Sequence, residues 1–482
     1  MRVTASLPLI VLSTASVGNA LSLHRRDAPA VLAAPLRRRQ PATLSKRDTS
    51  PLNVSIINNQ DSSYLLNLTL GSPAQNFTLA LDTGSSDLWV IGGSKEADNV
   101  YVSDKSSSYK SLNSGYNATY ADGTTALGVY ATDTLGLGDA TVKDFQFIVV
   151  NQTSSDVGIA GVGYNISTYD AEHQNKVYNN LPYALTAAGI TKSTAYSLWM
   201  NDVNAETGTI LFGGVNTAQY TGELQTLPVV PVYNNYYSLA LALTEVIVQT
   251  GNSTSTTTNL PLAVSLDTGS TLTSLPEALF KDILNALNGT YDDNAGLGRV
   301  DCSLMETNYN VTFSFSGAKV DVGLNQLVLN QGVTGWPRSS CLLGVVPSDP
   351  GVNILGDSFL RSAYVVYDLE NNEISLANTN FNPGKDDILE IGTGAGAVPG
   401  ATLVPSAVST ATGNGVQTAT TGVPTVTGTS ITTASATTAT GSATTGGSAK
   451  STGTSSGIAT LPTGNAKHLL SGLAGAGLLL MI

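Results

Sequence analysis

Histidine is almost missing from this chain of 482 residues: there are three, His24, His173 and His468. The first and last fall in segments read below as removed, so a Ser-His-Asp triad would depend on His173, which has no G-x-S-x-G near it. A histidine-rich zinc site cannot be assembled. An enzyme made from this chain without a cofactor must do its acid-base chemistry with carboxylates, and no cofactor or metal is expected. Cysteine is equally scarce: Cys302 and Cys341 are the only two. In an oxidising compartment they are expected to pair, closing a loop of about 40 residues that contributes on the order of 3 to 4 kcal/mol. The alternative, a reactive thiolate, lacks a basic neighbour. Positive charge is short as well, with 22 Lys and Arg against 35 Asp and Glu. Residues 1 to 47 hold eight of those bases and one acid, which leaves 14 bases and 34 acids from Asp48 on. That acidic part is not expected to bind nucleic acid.

Long apolar runs are also lacking, and the two that exist lie at the ends. Leu7 to Val17 follows the single charge of Arg2 and stops at Gly18-Asn19-Ala20. It is far shorter than the ~20 residues of a membrane span and reads as a signal peptide, residues 1–20. Residues 21–47 follow as a basic propeptide with Arg25-Arg26, Arg37-Arg38-Arg39 and Lys46-Arg47. The last pair resembles a site for a subtilisin-like processing protease and places the mature N-terminus at Asp48; a disordered, unprocessed leader is the bland alternative. At the other end, 28 of the 60 residues from Ala401 to Thr460 are Ser or Thr, aromatics vanish, and Lys450 is the only charge. Such a stretch cannot bury enough apolar surface to order itself, so residues 391–465 are read as an extended, O-glycosylated stalk. The run Leu469 to Ile482 (LLSGLAGAGLLLMI) then ends the sequence. Residues 466–482 fit a glycosylphosphatidylinositol (GPI) attachment signal, with Ser456 or Asn465 as acceptor, against the alternative of a short tail anchor.

Between leader and stalk, short apolar runs alternate with Gly, Asn, Asp and Ser turn signals, as in Tyr64 to Leu70 (YLLNLTL), Phe145 to Val150 (FQFIVV) and Tyr364 to Leu369 (YVVYDL). The best helical stretch is Pro276 to Leu287 (PEALFKDILNAL). This predicts a mostly β body. Nine N-x-S/T sequons lie in the same region, at Asn53, Asn67, Asn76, Asn117, Asn151, Asn165, Asn252, Asn288 and Asn310. A Ser/Thr-rich chain produces many by chance, and some are expected to carry glycans.

The chemistry is carried by a duplicated motif. Leu79-Ala-Leu-Asp82-Thr83-Gly84-Ser85-Ser86-Asp87-Leu88-Trp89-Val90 recurs in outline as Ala263-Val-Ser-Leu-Asp267-Thr268-Gly269-Ser270-Thr271-Leu272. One Asp-Thr-Gly is ordinary turn chemistry. Two copies, each after an apolar strand, are hard to obtain by chance. The strand supplies a rigid base, the glycine lets the backbone turn, and the hydroxyls can hold the carboxylate. Two such loops meeting across a pseudo-two-fold axis would set two carboxyls side by side. They cannot both ionise, so one proton is shared. Each copy also has a downstream apolar-Gly partner, Val157-Gly-Ile-Ala-Gly-Val-Gly163 and Val352-Asn-Ile-Leu-Gly-Asp-Ser-Phe-Leu360.

On these residues, with a flap-like Tyr120-Ala-Asp-Gly123, the chain resembles the pepsin family of aspartic proteases over residues 60 to 380. The leader, stalk and lipid signal narrow the resemblance to the fungal GPI-anchored type, the yapsins, and their secreted Candida relatives. The resemblance implies an all-β, bilobal fold with an N-terminal lobe over 48–230, a C-terminal lobe over 231–390 and a cleft between them. It implies Asp82 and Asp267 as the catalytic pair of an acid-pH endopeptidase, Thr83 and Thr268 interlocking the two loops, and Ser85 and Ser270 supporting the carboxylates, with Gly84 and Gly269 in the same turns. Tyr120 should cap the cleft, with Trp89 bonded or packed beneath it. Asp122 and Gly123 should complete the flap, Asp122 facing basic substrate side chains. A monomer acting on proteins or peptides at the extracellular face of the cell membrane, or in the wall, follows. Two departures stand out: the flap reads Y-A-D-G where Y-G-x-G is commoner, and the first lobe has no cysteines, which leaves the loop from Ile91 to Tyr109 unconstrained. The rival readings are an inactive cell-wall glycoprotein of the same fold, against which both intact motifs argue, and a two-carboxylate glycoside hydrolase, against which the motif context argues.

Overall fold

The computed structural model describes residues 30–38 and 63–413, apart from 96, 121, 122, 233, 252, 257, 258, 331, 332, 334 and 350. The segment read as a signal peptide, Lys46 and Arg47, Asn53, Asp122, Asn252, Ser456, Asn465 and the terminal run lie outside the described residues.

Alternation becomes strand throughout. In Tyr64–Leu70 every second side chain is buried and Asn67 faces out. In Gln75–Asp82 the alternation gives way to continuous burial over the last four residues, as expected where a strand end is covered on both faces. A 15-stranded sheet runs through the molecule, and smaller sheets of five, four and four strands complete the C-terminal half. The fold is mostly β, and Glu277–Ala286 is the longest α-helix among the described residues, burying Leu279, Phe280, Ile283 and Leu284. Cys302 and Cys341 form a disulfide.

Each motif sits in the same local topology. Ala80, Leu81 and Asp82 pair in parallel with Ile159–Gly161, and Leu88 and Trp89 return antiparallel on the other side of that short strand. In the second half Ser265 and Leu266 pair in parallel with Ile354 and Leu355, and Ser274 returns antiparallel to Ile354. The downstream Gly partners make this crossing possible. A Cβ on Gly161 would lie 2.6 Å from the Asp87 carbonyl oxygen, and one on Gly356 would lie 2.3 Å from that of Ser270.

Three segments differ from the sequence reading. Within the basic leader, Leu32–Arg38 is a strand between Thr207–Phe212 and Tyr64–Leu70. Leu32, Ala34 and Leu36 point into the core, and the exposed face carries Ala33, Pro35 and Arg37. This described part of the leader is thus held by main-chain pairing and apolar burial. Second, residues 391–413, assigned to the stalk, are ordered, with Ile391, Val398, Val404 and Ala411 buried. The composition argument does not reach residues 391–413, because these few apolar side chains use the body's core instead of building one of their own. Third, the loop from Ile91 to Tyr109 is constrained without a disulfide. Tyr101 is buried against Phe77 and Phe147, Gly93 N–H donates to the Tyr101 carbonyl at 3.0 Å, and Gln75 bonds both backbone groups of Val102 at 2.9 and 3.1 Å.

Candidate active site

The two motif loops meet back to back and grip each other. Thr83 N–H donates to the Thr268 hydroxyl at 3.1 Å, and Thr268 N–H donates to the Thr83 hydroxyl at 3.0 Å. Each hydroxyl passes its own proton to the strand below the other loop, Thr83 to the Leu266 carbonyl at 2.8 Å and Thr268 to the Leu81 carbonyl at 2.9 Å. All of these groups are buried, so each bond is made in a low dielectric, where it is stronger than it would be in water.

The grip presents Asp82 and Asp267 to each other, both buried and within hydrogen-bonding reach. The loops support them in the same way. Gly84 N–H donates to Asp82 Oδ1 and Gly269 N–H to Asp267 Oδ1, each at 2.8 Å. Ser85 donates to Asp82 Oδ2, and Ser270 donates to Asp267 Oδ2 at 2.7 Å. Gly84 admits no side chain, because its Cβ would fall 2.5 Å from Asp267 Oδ1. Burial raises the pKa of Asp82 well above the ordinary carboxylate range, and the charge of Asp267 raises it further. Burial raises Asp267 too, against bonds from Ser270 and Asp82 that favour its charged form. Two carboxyls so placed hold one proton between them.

The hairpin of Lys110–Thr119 and Thr125–Leu137 carries Tyr120 near its tip. Tyr120 N–H donates to the Thr124 carbonyl at 2.8 Å and Gly123 N–H to the Tyr120 carbonyl at 2.9 Å. Gly123 has φ of 84°, in the left-handed region that favours glycine. Trp89 Nε1–H donates to the Tyr120 hydroxyl at 2.7 Å, and the Tyr116 hydroxyl lies 3.0 Å from the same oxygen. Among the described residues no group of three or more His, Cys, Asp or Glu side chains is gathered as a metal site.

A model of the eukaryotic aspartyl protease family matches residues 63–379, about two thirds of the chain. The chain belongs to that family. A probable aspartic-type endopeptidase opsB of Aspergillus oryzae is 45% identical over 434 residues, covering 84% of this chain and 88% of the relative. The aspartic proteinase yapsin-3 of Saccharomyces cerevisiae is 35% identical over 378 residues, covering 73% and 72%. Among solved structures, the aspartic proteinase from Irpex lacteus is similar at 25% identity and a TM-score of 0.58, covering 73% of this chain and 98% of that one. The protein is an aspartic endopeptidase with a pepsin-like fold.

Of the sequons in this aspartyl protease, Asn67, Asn76, Asn117, Asn151 and Asn288 are exposed, whereas Asn165 and Asn310 are half-buried. Sequence reasoning passed over Asp87, the last polar residue of the first motif. It is buried, with Oδ1 accepting from the hydroxyls of Tyr130 at 3.0 Å and Tyr178 at 2.5 Å, and Oδ2 accepting from Tyr169 N–H at 2.7 Å. Burial pushes its carboxyl up to about 6 even so. Glu172, in the helix Tyr169–Gln174, is pushed to about 7 by burial and by the charge of Asp87. A polar residue in an otherwise apolar run was the available signal; its tyrosine partners lie 43 and 91 residues away and gave none.

Proposed function

We propose that this endopeptidase cleaves peptide bonds at acid pH with a water molecule activated between Asp82 and Asp267. The observation that carries the reading is the reciprocal threonine grip, which holds two buried carboxyls together on matched loops. The ionised member accepts a proton from the water as its oxygen attacks the scissile carbonyl carbon, and the protonated member donates to the carbonyl oxygen. Collapse of the tetrahedral diol breaks the C–N bond, with a proton passed to the leaving nitrogen. No atom beyond substrate, water and the pair is needed. Tyr120 closes over the substrate, with its hydroxyl fixed by Trp89 and Tyr116.

The mature protein is proposed to begin at Asp48, after processing at Lys46-Arg47, and to be secreted, held at the outer face of the cell membrane or in the wall by a GPI lipid at Ser456 or Asn465. The signal-like start, the Ser/Thr-rich stretch and the apolar end support this. Asp122 is proposed to accept Lys or Arg beside the cut: it lies two residues after Tyr120, where strand alternation returns a side chain to the same face.

Digestion of a random peptide library from pH 3 to 7, with and without pepstatin, tests the central reading. Pepstatin-sensitive cleavage greatest in acid is expected, and a rate maximum above pH 8 would be incompatible. Asp122→Ser should lower turnover of substrates with Lys or Arg before the cut while sparing Leu or Phe. Equal loss on both classes would assign Asp122 to the hairpin alone. Release of the protein from intact cells by phosphatidylinositol-specific phospholipase C checks the anchor.

A further inference from the structure

The family match stops at Thr379, but the ordered chain goes on and crosses from the central sheet to the C-terminal half. Ala401–Leu403 adds a parallel strand beside Leu224, Gln225 and Thr226. Val404 N–H donates to the Thr226 carbonyl at 2.9 Å, and Val408 N–H donates to the Ser316 hydroxyl at 2.9 Å. The segment then lies along Leu262. Ala411 is buried among Val230, Ala242 and Ala263, and Thr412 N–H donates to the Pro261 carbonyl at 3.1 Å.

The strand it reaches, Leu262–Leu266, is the one that ends at Asp267. On one edge of that strand the N–H groups of Ala263, Ser265 and Asp267 point the same way. They donate to the carbonyls of Thr412 at 2.8 Å, Asn353 at 3.0 Å and Leu355 at 3.1 Å. On this edge the short strand Ile354–Leu355 meets Ser265 and Leu266, its other side being taken by Ser274, so the tail supplies the first acceptor of the row. The first lobe has a counterpart at the same offset. Thr78, four residues before Asp82 as Ala263 is before Asp267, donates its N–H to Asn99 Oδ1 at 2.7 Å. Both motif strands therefore have the same upstream N–H bonded, one from a neighbouring loop and one from the segment that follows the family match.

We propose that residues 397–413 form a strap that sets the register of the Asp267 strand against the central sheet, with Ala411 and Thr412 as positioning residues. This rests on the reading of Asp82 and Asp267 as the reacting pair. A strand free to shift would move Asp267 away from Asp82 and weaken the sharing of their proton. The two limbs of the pH–rate profile would then approach each other, since the separation of the pair's two titrations comes from their mutual interaction.

The test is Ala411→Arg in the full-length enzyme, with Ala411→Gly as the conservative control. The long cation cannot fit among Val230, Ala242 and Ala263. Expected are faster deuterium exchange in the peptide containing Ala263, a kcat at least fivefold lower with KM changed less than twofold, and a narrower pH profile. Ala411→Gly should restore all three. Asp267→Asn is assayed alongside: full activity there would defeat the reading of the pair, whereas results confined to Ala411 judge the strap alone. A folded Ala411→Arg enzyme with unchanged exchange at Ala263 overturns the proposal, as does raised exchange with unchanged kcat and pH limbs. Should Ala411→Arg fail to fold, Ala411→Leu is read by the same criteria.

Discussion

Asp87 shows how a single side chain can make the stability of the fold depend on pH. Its carboxyl titrates at about 6 in the native protein and near 3.9 when unfolded. The native state therefore holds its proton more tightly. The stability this adds is fully present below the unfolded value and is lost as pH rises through 6. For this fully buried group the change is about 3 kcal/mol. Glu172, raised to about 7, continues the loss toward neutrality. The melting temperature is thus expected to fall between pH 4 and 7, and Asp87→Asn, which cannot ionise, should flatten part of the slope. Identical slopes for both proteins, followed by circular dichroism, would show that Asp87 does not carry the effect. Gly84 gives a second prediction at this scale. Its missing side chain is what lets Asp267 approach, so Gly84→Ala should lower kcat by about a hundredfold or more, of the order assigned to one misplaced positioning contact, and should leave far-ultraviolet circular dichroism unchanged.

The leader strand is the element least visible in the sequence. Leu32, Ala34 and Leu36 alternate, but two alanines, a proline and two arginines give the stretch little β-propensity, and its partners come from residues 64–66 and 207–212. The helix Glu277–Ala286 was legible to within a residue at each end, because its four buried positions recur at helical spacing within one stretch of chain. The basic leader and the acidic body invite ionic attraction, yet among the described residues Leu32–Arg38 is held chiefly by main-chain pairs and apolar burial, with the Arg38 charge acting on the buried Asp357. Salt up to 1 M should then leave Arg37-Arg38 of the precursor protected from trypsin, while Leu36→Asp should expose it, as intact-mass analysis would reveal. Salt-dependent cutting of the unaltered precursor would restore the ionic account.

At the scale of the whole molecule, the site was more legible than the boundaries of the body. The Asp-Thr-Gly motif is local and occurs twice, so both loops, their apolar strands and their Gly partners can be read without knowing how they meet. The tail from Ile391 to Gly413 looks like the start of a Ser/Thr-rich stalk because its few apolar residues have meaning only against surfaces built from distant parts of the chain. The central claim concerns the one feature that requires both halves at once, a proton shared by Asp82 and Asp267. Its most direct test is the activity of purified, processed Asp82→Asn and Asp267→Asn proteins on a peptide cut by the unaltered enzyme, with melting curves to establish folding. The account predicts that each folds and that each loses more than 99% of the activity. A folded variant of either kind that keeps more than about 1% would contradict it.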